Sequence, residues 1–178
     1  MMLTLASLLT LMFIGPSTAT PLLTGMEVCT TAASGQLTTA DGQPVSFEGG
    51  RLVFGGSLQV EFRPCQPNYG RFEDGTMGHL FVPSLEQCIS VNSPASGAPY
   101  KVGTQECQFA DDSHQIFMSF VQRDGGLYWS GSTKADGSIV QNSRACSNGF
   151  WGPQSGATAG DVRLQCSLDG NTVGFQIA

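Results

Sequence analysis

The chain has 178 residues, a net charge of −6 and only 12% charged side chains, against a typical share of about a quarter. The acidity argues against phosphate backbones as partners. With just two lysines, Lys101 and Lys134, and 23 glycines, the chain lacks the material of solvent-facing helices and is rich in turns.

The first segment reads as a signal peptide spanning residues 1–19. Met1 to Ile14 carries no charged side chain and is rich in Leu and Met. Gly15-Pro16 breaks any helix, and Ser17-Thr18-Ala19 places small residues where a signal peptidase reads. Positive charge in front of the apolar run comes from the amino terminus alone. The run is too short for a membrane anchor, which needs roughly 20 apolar residues. Residues 20–178 are therefore expected to be one secreted, extracellular domain with no membrane insertion. A chain of this size buries roughly 70% of its unfolded surface.

Within that domain, strand-like runs alternate with turn signals. Arg51 to Phe54, Leu58 to Phe62, His79 to Val82, Ile116 to Val121 and Thr172 to Ile177 have strand character. Leu58, Val60 and Phe62 share one face, with Gln59 and Glu61 on the other. Five Asp-Gly pairs, at Asp41, Asp74, Asp124, Asp136 and Asp169, mark tight turns. The stretches Asn92–Ala98 and Ser147–Gly160 are Gly/Ser-rich and read as loops outside the core. No window sustains a 3.6-residue apolar period, so the fold class is all-β.

Three segments run from a glycine turn through a short β-prone stretch to a cysteine: Gly56 to Cys65, Gly97 to Cys107 and Gly137 to Cys146. A period of about forty residues means one supersecondary unit used several times. The units are placed at roughly 25–80, 81–124 and 125–178, sharing one core. Six cysteines follow the cleavage site: Cys29, Cys65, Cys88, Cys107, Cys146 and Cys166. An even count in an exported chain implies three disulfides, which can connect in 15 ways. No pair or Cys/His group has zinc spacing, so no metal and no cofactor are expected.

The middle unit resembles the ricin B-type β-trefoil lectin repeat. It runs Gln87-Cys88-Ile89-Ser90-Val91, through Gly97 and Val102 to Cys107, then His114-Gln115-Ile116-Phe117 and Asp124-Gly125. The resemblance covers about forty residues. It implies a disulfide-stabilised β-trefoil of three repeats, an intra-repeat disulfide Cys88–Cys107 and, by position, Cys146–Cys166, leaving Cys29–Cys65. It also implies carbohydrate binding. Ser90 stands where the family has an acceptor Asp, and Gln105 where it has a stacking aromatic. His114-Gln115 stands for its Asn-Gln, and Phe117, taken as core, for its Trp.

A sugar site needs an acceptor, an aromatic face and orienting amides. Gln115 either contacts a ligand or bonds across a hairpin. With its acceptor and aromatic both replaced, the middle pocket is expected to be near-silent. Binding then falls to the loop aromatics Phe150 and Trp151, or to Trp129 beside Tyr128, unless these rings cap the barrel. Trp151→Ala would in that case abolish binding and spare the fold. The chain shows no nucleophile elbow, metalloprotease motif or phosphate loop, and no paired carboxylates, so an enzyme is not expected. The expected function is a secreted carbohydrate-binding module. A trefoil-type proteinase inhibitor and a wall- or surface-associated structural protein are the other classes. The partner is a glycan or an extracellular protein, not a nucleic acid.

Overall fold

The structure, a computed structural model, describes residues 26–66, 75–94, 96–110, 117–131, 150–154, 156–157, 159–166 and 173–178. The signal segment, His114, Gln115 and Cys146 lie outside these residues. The described chain is all-β. Its strands are β1 (Val28–Cys29), β2 (Ala33–Thr39), β3 (Val45–Glu48), β4 (Arg51–Phe54), β5 (Gln59–Gln66), β6 (Thr76–Val82), β7 (Gln87–Asn92), β8 (Tyr100–Gln105), β9 (Phe120–Arg123), β10 (Gly126–Trp129), β11 (Gly152–Pro153), β12 (Arg163–Gln165) and β13 (Phe175–Ile177).

Six of them close a ring. In order, β2 pairs with β5, β5 with β6, β6 with β9, β9 with β10, β10 with β13, and β13 returns to β2. Every pairing is antiparallel, and closure leaves the ring without a free edge. Three hairpins, β3–β4, β7–β8 and β11–β12, lie in sequence between successive ring strands. They are tied to one another. β8 pairs with β12, Phe54 N–H donates to Gly160, and Val162 N–H donates to Leu52.

Alternation builds the core. Leu58, Val60 and Phe62 point inward, as the sequence pattern requires, and join Leu37, Leu80, Phe120, Leu127 and Phe175 from the other ring strands. The hairpins add Leu52, Val91, Tyr100, Val102 and Leu164. The β9–β10 turn needs special backbone. Asp124 and Gly125 both have positive φ, 49° and 78°, and join Arg123 to Gly126 in a two-residue hairpin loop. That is type I′ chemistry, which Asp-Gly supplies.

Two expectations fail locally. The strand expected over Ile116–Val121 begins only at Phe120, because the chain turns at Phe117 and Met118. Phe117 is half-buried; Met118 takes the core position, its sulfur accepting from the Gln108 N–H. Ser147–Gly160, expected to lie outside the core, supplies Phe150, Trp151 and all of β11 to the interior. Disulfides join Cys29 to Cys65 and Cys88 to Cys107. Cys166 is also disulfide-bonded.

Candidate functional site

Ser90 lies on β7 opposite Gly103, and Gln105 lies on β8 opposite Cys88. Ser90 is 0% exposed, and its hydroxyl accepts from Gln105 Nε2 at 3.1 Å. The two side chains thus satisfy each other across the β7–β8 hairpin. No solvent reaches the Ser90 hydroxyl.

The candidate stacking rings are interior too, as in the barrel-capping alternative of the sequence reading. Trp129 is 0% and Trp151 1% exposed. Both meet Tyr100 edge-on, at 4.9 and 5.0 Å between centroids. Their backbones exchange two hydrogen bonds of 2.9 and 3.1 Å. Phe150 is buried with Met77 and Val121, against Tyr128 at 5.8 Å. A stacking platform needs a free ring face, and these faces are occupied by protein. Burial also pushes the Tyr100 hydroxyl pKa up.

A different group of side chains converges on the outside of the barrel. Residues 26–29 alternate, with Met26 and Val28 exposed (65% and 68%), and Glu27 buried beneath them. This segment is clasped on both sides. Cys29 pairs with Cys65 on β5, Thr30 N–H donates to Pro64, and Glu27 N–H donates to the Phe109 carbonyl at 2.7 Å. Under the clasp sits His79. On β6 its neighbours Leu80 and Val82 face the core, so His79 faces outward, where β1 and Phe109 cover it.

His79 is 2% exposed. Its Nε2 stands 3.9 Å from Glu27 Oε2, too far for a hydrogen bond, and Nδ1 has no hydrogen-bond partner among the described residues. Desolvation lowers the His79 pKa to about 4, so the ring is neutral at ordinary pH. The separation from Glu27 is too long to offset that burial. Across the strands His79 is opposite Arg63, whose guanidinium turns away to Glu61 and Phe81. One donor atom each from Glu27, Cys29, Cys65 and His79 lies within 4.8 Å of the others.

Next to the clasp is an ordered surface patch. Arg63 Nε and Nη2 donate to Glu61 Oε2 at 2.9 and 2.7 Å, and the guanidinium lies 3.5 Å from the centre of the Phe81 ring. Thr31 Oγ1 donates to the same carboxylate oxygen at 2.8 Å. The Thr31 bond, followed by Arg63, holds the Glu61 carboxyl below the usual range.

Spacing gave no signal for the buried group, because its members come from three strand regions far apart in the chain. The one local trace is Met26-Glu27-Val28-Cys29, an alternation whose apolar side chains face water. Among the described residues no helix is long and apolar enough to cross a membrane.

No protein-family model and no curated protein matches the sequence. Among solved structures, a point mutant of Gallus interleukin-1 beta aligns with a TM-score of 0.57 at 10% identity, over 85% of this chain and 99% of that one. Interleukin-1 beta is a β-trefoil. At this identity the likeness concerns architecture alone, and with the closed ring it gives the chain a β-trefoil-like fold.

Proposed function

We propose that the chain is a secreted, non-enzymatic β-trefoil recognition module whose partner is an extracellular protein. One observation carries this reading. The Ser90 hydroxyl is buried and engaged by the half-buried Gln105, and the tryptophan faces are packed, which favours recognition on the surface. That surface offers Met26, Val28 and Leu85, together with the Arg63–Phe81 patch. The Cys29–Cys65 and Cys88–Cys107 disulfides are compatible with an extracellular setting, where such bonds persist. The ring and its hairpins read as three units, β2–β5, β6–β9 and β10–β13. A proteinase inhibitor is the special case in which the partner is a protease and a loop enters its cleft.

The ricin B-type lectin is the second reading. Cys88–Cys107 supports it, as does the Cys88 to Gln115 order of the middle unit. In that reading His114 and Gln115 carry the ligand contacts.

A paired screen decides between them. The disulfide-intact protein is applied to a glycan array and to arrayed extracellular proteins, including a protease panel. Saturable binding to a protein, insensitive to removal of its glycans and weakened by Arg63→Glu or Val28→Asp, is the expected result. Glycan-dependent binding lost in Gln115→Ala makes the chain a lectin. Reproducible turnover of a glycoside, ester or peptide overturns the non-enzymatic part.

A further inference from the structure

We propose that Glu27, Cys29, Cys65 and His79 form a latent zinc site, created when a dithiol reduces the Cys29–Cys65 disulfide. The donor set is two sulfurs, an imidazole nitrogen and a carboxylate oxygen, all within 4.8 Å of one another. Tetrahedral zinc binds sulfur at ~2.3 Å and nitrogen or oxygen at ~2.0–2.2 Å, which sets donor separations of roughly 3.3–3.8 Å. In the disulfide the two sulfurs are 2.03 Å apart, so on reduction they separate by about 1.7 Å, while the most distant donors of the group close in by about an ångström.

A second observation points to a missing partner. His79 is almost fully buried and its Nδ1 makes no hydrogen bond among the described residues, although buried polar atoms are nearly always paired. A neutral imidazole is the form that binds a metal. Zinc beside Glu27 also supplies a positive charge to a buried carboxylate. Among the described residues no other group of His, Cys, Asp or Glu side chains converges in this way.

The chemistry balances. A dithiol thiolate attacks the Sγ of Cys29, the less buried of the two, and releases Cys65 as thiolate. The second dithiol sulfur then displaces Cys29 and leaves as the cyclic disulfide. Two electrons pass from the dithiol to the protein cystine, which becomes two thiols. Zinc(II) displaces their two protons and undergoes no redox change. The disulfide and the metal site are thus alternative states of the same residues. Meanwhile the backbone bonds of Glu27 to Phe109 and of Thr30 to Pro64 hold β1 in register.

The test reduces the protein with a dithiol, removes the reductant without oxygen, and adds Zn²⁺ or Co²⁺. Iodoacetamide labelling with peptide mass mapping then reads each cysteine. One equivalent of Zn²⁺ is expected to protect Cys29 and Cys65 and to leave Cys88 and Cys107 reactive. Co²⁺ is expected to give tetrahedral d–d bands with thiolate charge transfer. The unreduced protein is expected to show neither effect. His79→Gln and Glu27→Gln should each raise the half-protecting zinc concentration by at least the ~10–100-fold that even outer-shell changes cause. Equal labelling with and without zinc overturns the proposal. So does zinc protection that both variants leave unchanged, or that falls equally on Cys88 and Cys107. Should the reduced chain lose its buried-tryptophan fluorescence, Zn²⁺ is expected to restore it in the wild type and not in His79→Gln, and failure to restore it also overturns the proposal.

Discussion

The Trp151 indole meets Tyr100 edge-on, and its N–H has no hydrogen-bond partner among the described residues. Trp151→Ala is therefore expected to cost about 3–5 kcal/mol, the range for emptying a buried aromatic site, with a lower urea midpoint and an unchanged m-value. Trp151→Phe should cost clearly less, since it keeps a ring and removes an unsatisfied donor. Sequence could not place this residue. Phe150-Trp151 is flanked by glycines, and β11 is only two residues long, so no alternation exists to read. His79 was equally illegible, because its cover comes from the distant Glu27 and Phe109. In the disulfide-intact protein its pKa is about 4, below the unfolded value near 6.5, so the unfolded chain binds more protons between those values. Stability should be flat above about pH 6.5 and fall by about 3 kcal/mol as pH drops toward 4. Urea melts across that window check the sign, and His79→Gln should flatten the slope.

Elements with their own local chemistry were the legible ones. β4 coincides with the run read from Arg51 to Phe54, and the Asp124-Gly125 turn has the positive φ angles that its residues favour. At the start of β5 the inward set of Val60 and Phe62, with Leu58 just before the strand, follows from period-2 alternation alone. The boundary of β9 escaped because Phe117 and Met118 are apolar yet sit in a turn, so hydrophobicity extended the expected strand too early. Between β7 and β8 the Cys88–Cys107 bond closes a loop of 19 residues' separation beyond the Cys88–Gln105 register. Replacing both cysteines by Ala should lower stability by about 3 kcal/mol in the chain-entropy model. A urea midpoint that does not move would mean that the hairpin ladder alone restricts the unfolded chain. Ser90 and Gln105 sit in the same ladder. Ser90→Asp buries a carboxylate beside the Gln105 amide. The expected result is loss of stability with no gain in glycan binding.

At the scale of the whole molecule, the ring depends on its last strand. β13 fills the gap between β2 and β10, and Ala178 exchanges backbone hydrogen bonds with Gln36. Gly35 permits that approach, since a Cβ there would overlap the Ala178 carbonyl. Sequence marked Thr172–Ile177 as a strand but could not say what it pairs with, because its partner β2 lies near the opposite end of the chain. Ring closure is a long-range contact that no local pattern encodes. Removing residues 175–178 takes away both pairings at once and exposes two strand edges, together with the core around Phe175. The truncated chain is expected to lose its cooperative thermal transition, bind an apolar dye and self-associate. A surface change at the clasp, such as Val28→Thr, should stay within about 0.5 kcal/mol of the parent. If the truncated chain still melts cooperatively near the parent temperature, the hairpin ties between β8, β12 and the Leu52–Val162 contact hold the core without closure. The barrel would then be a consequence of the cap and not its foundation.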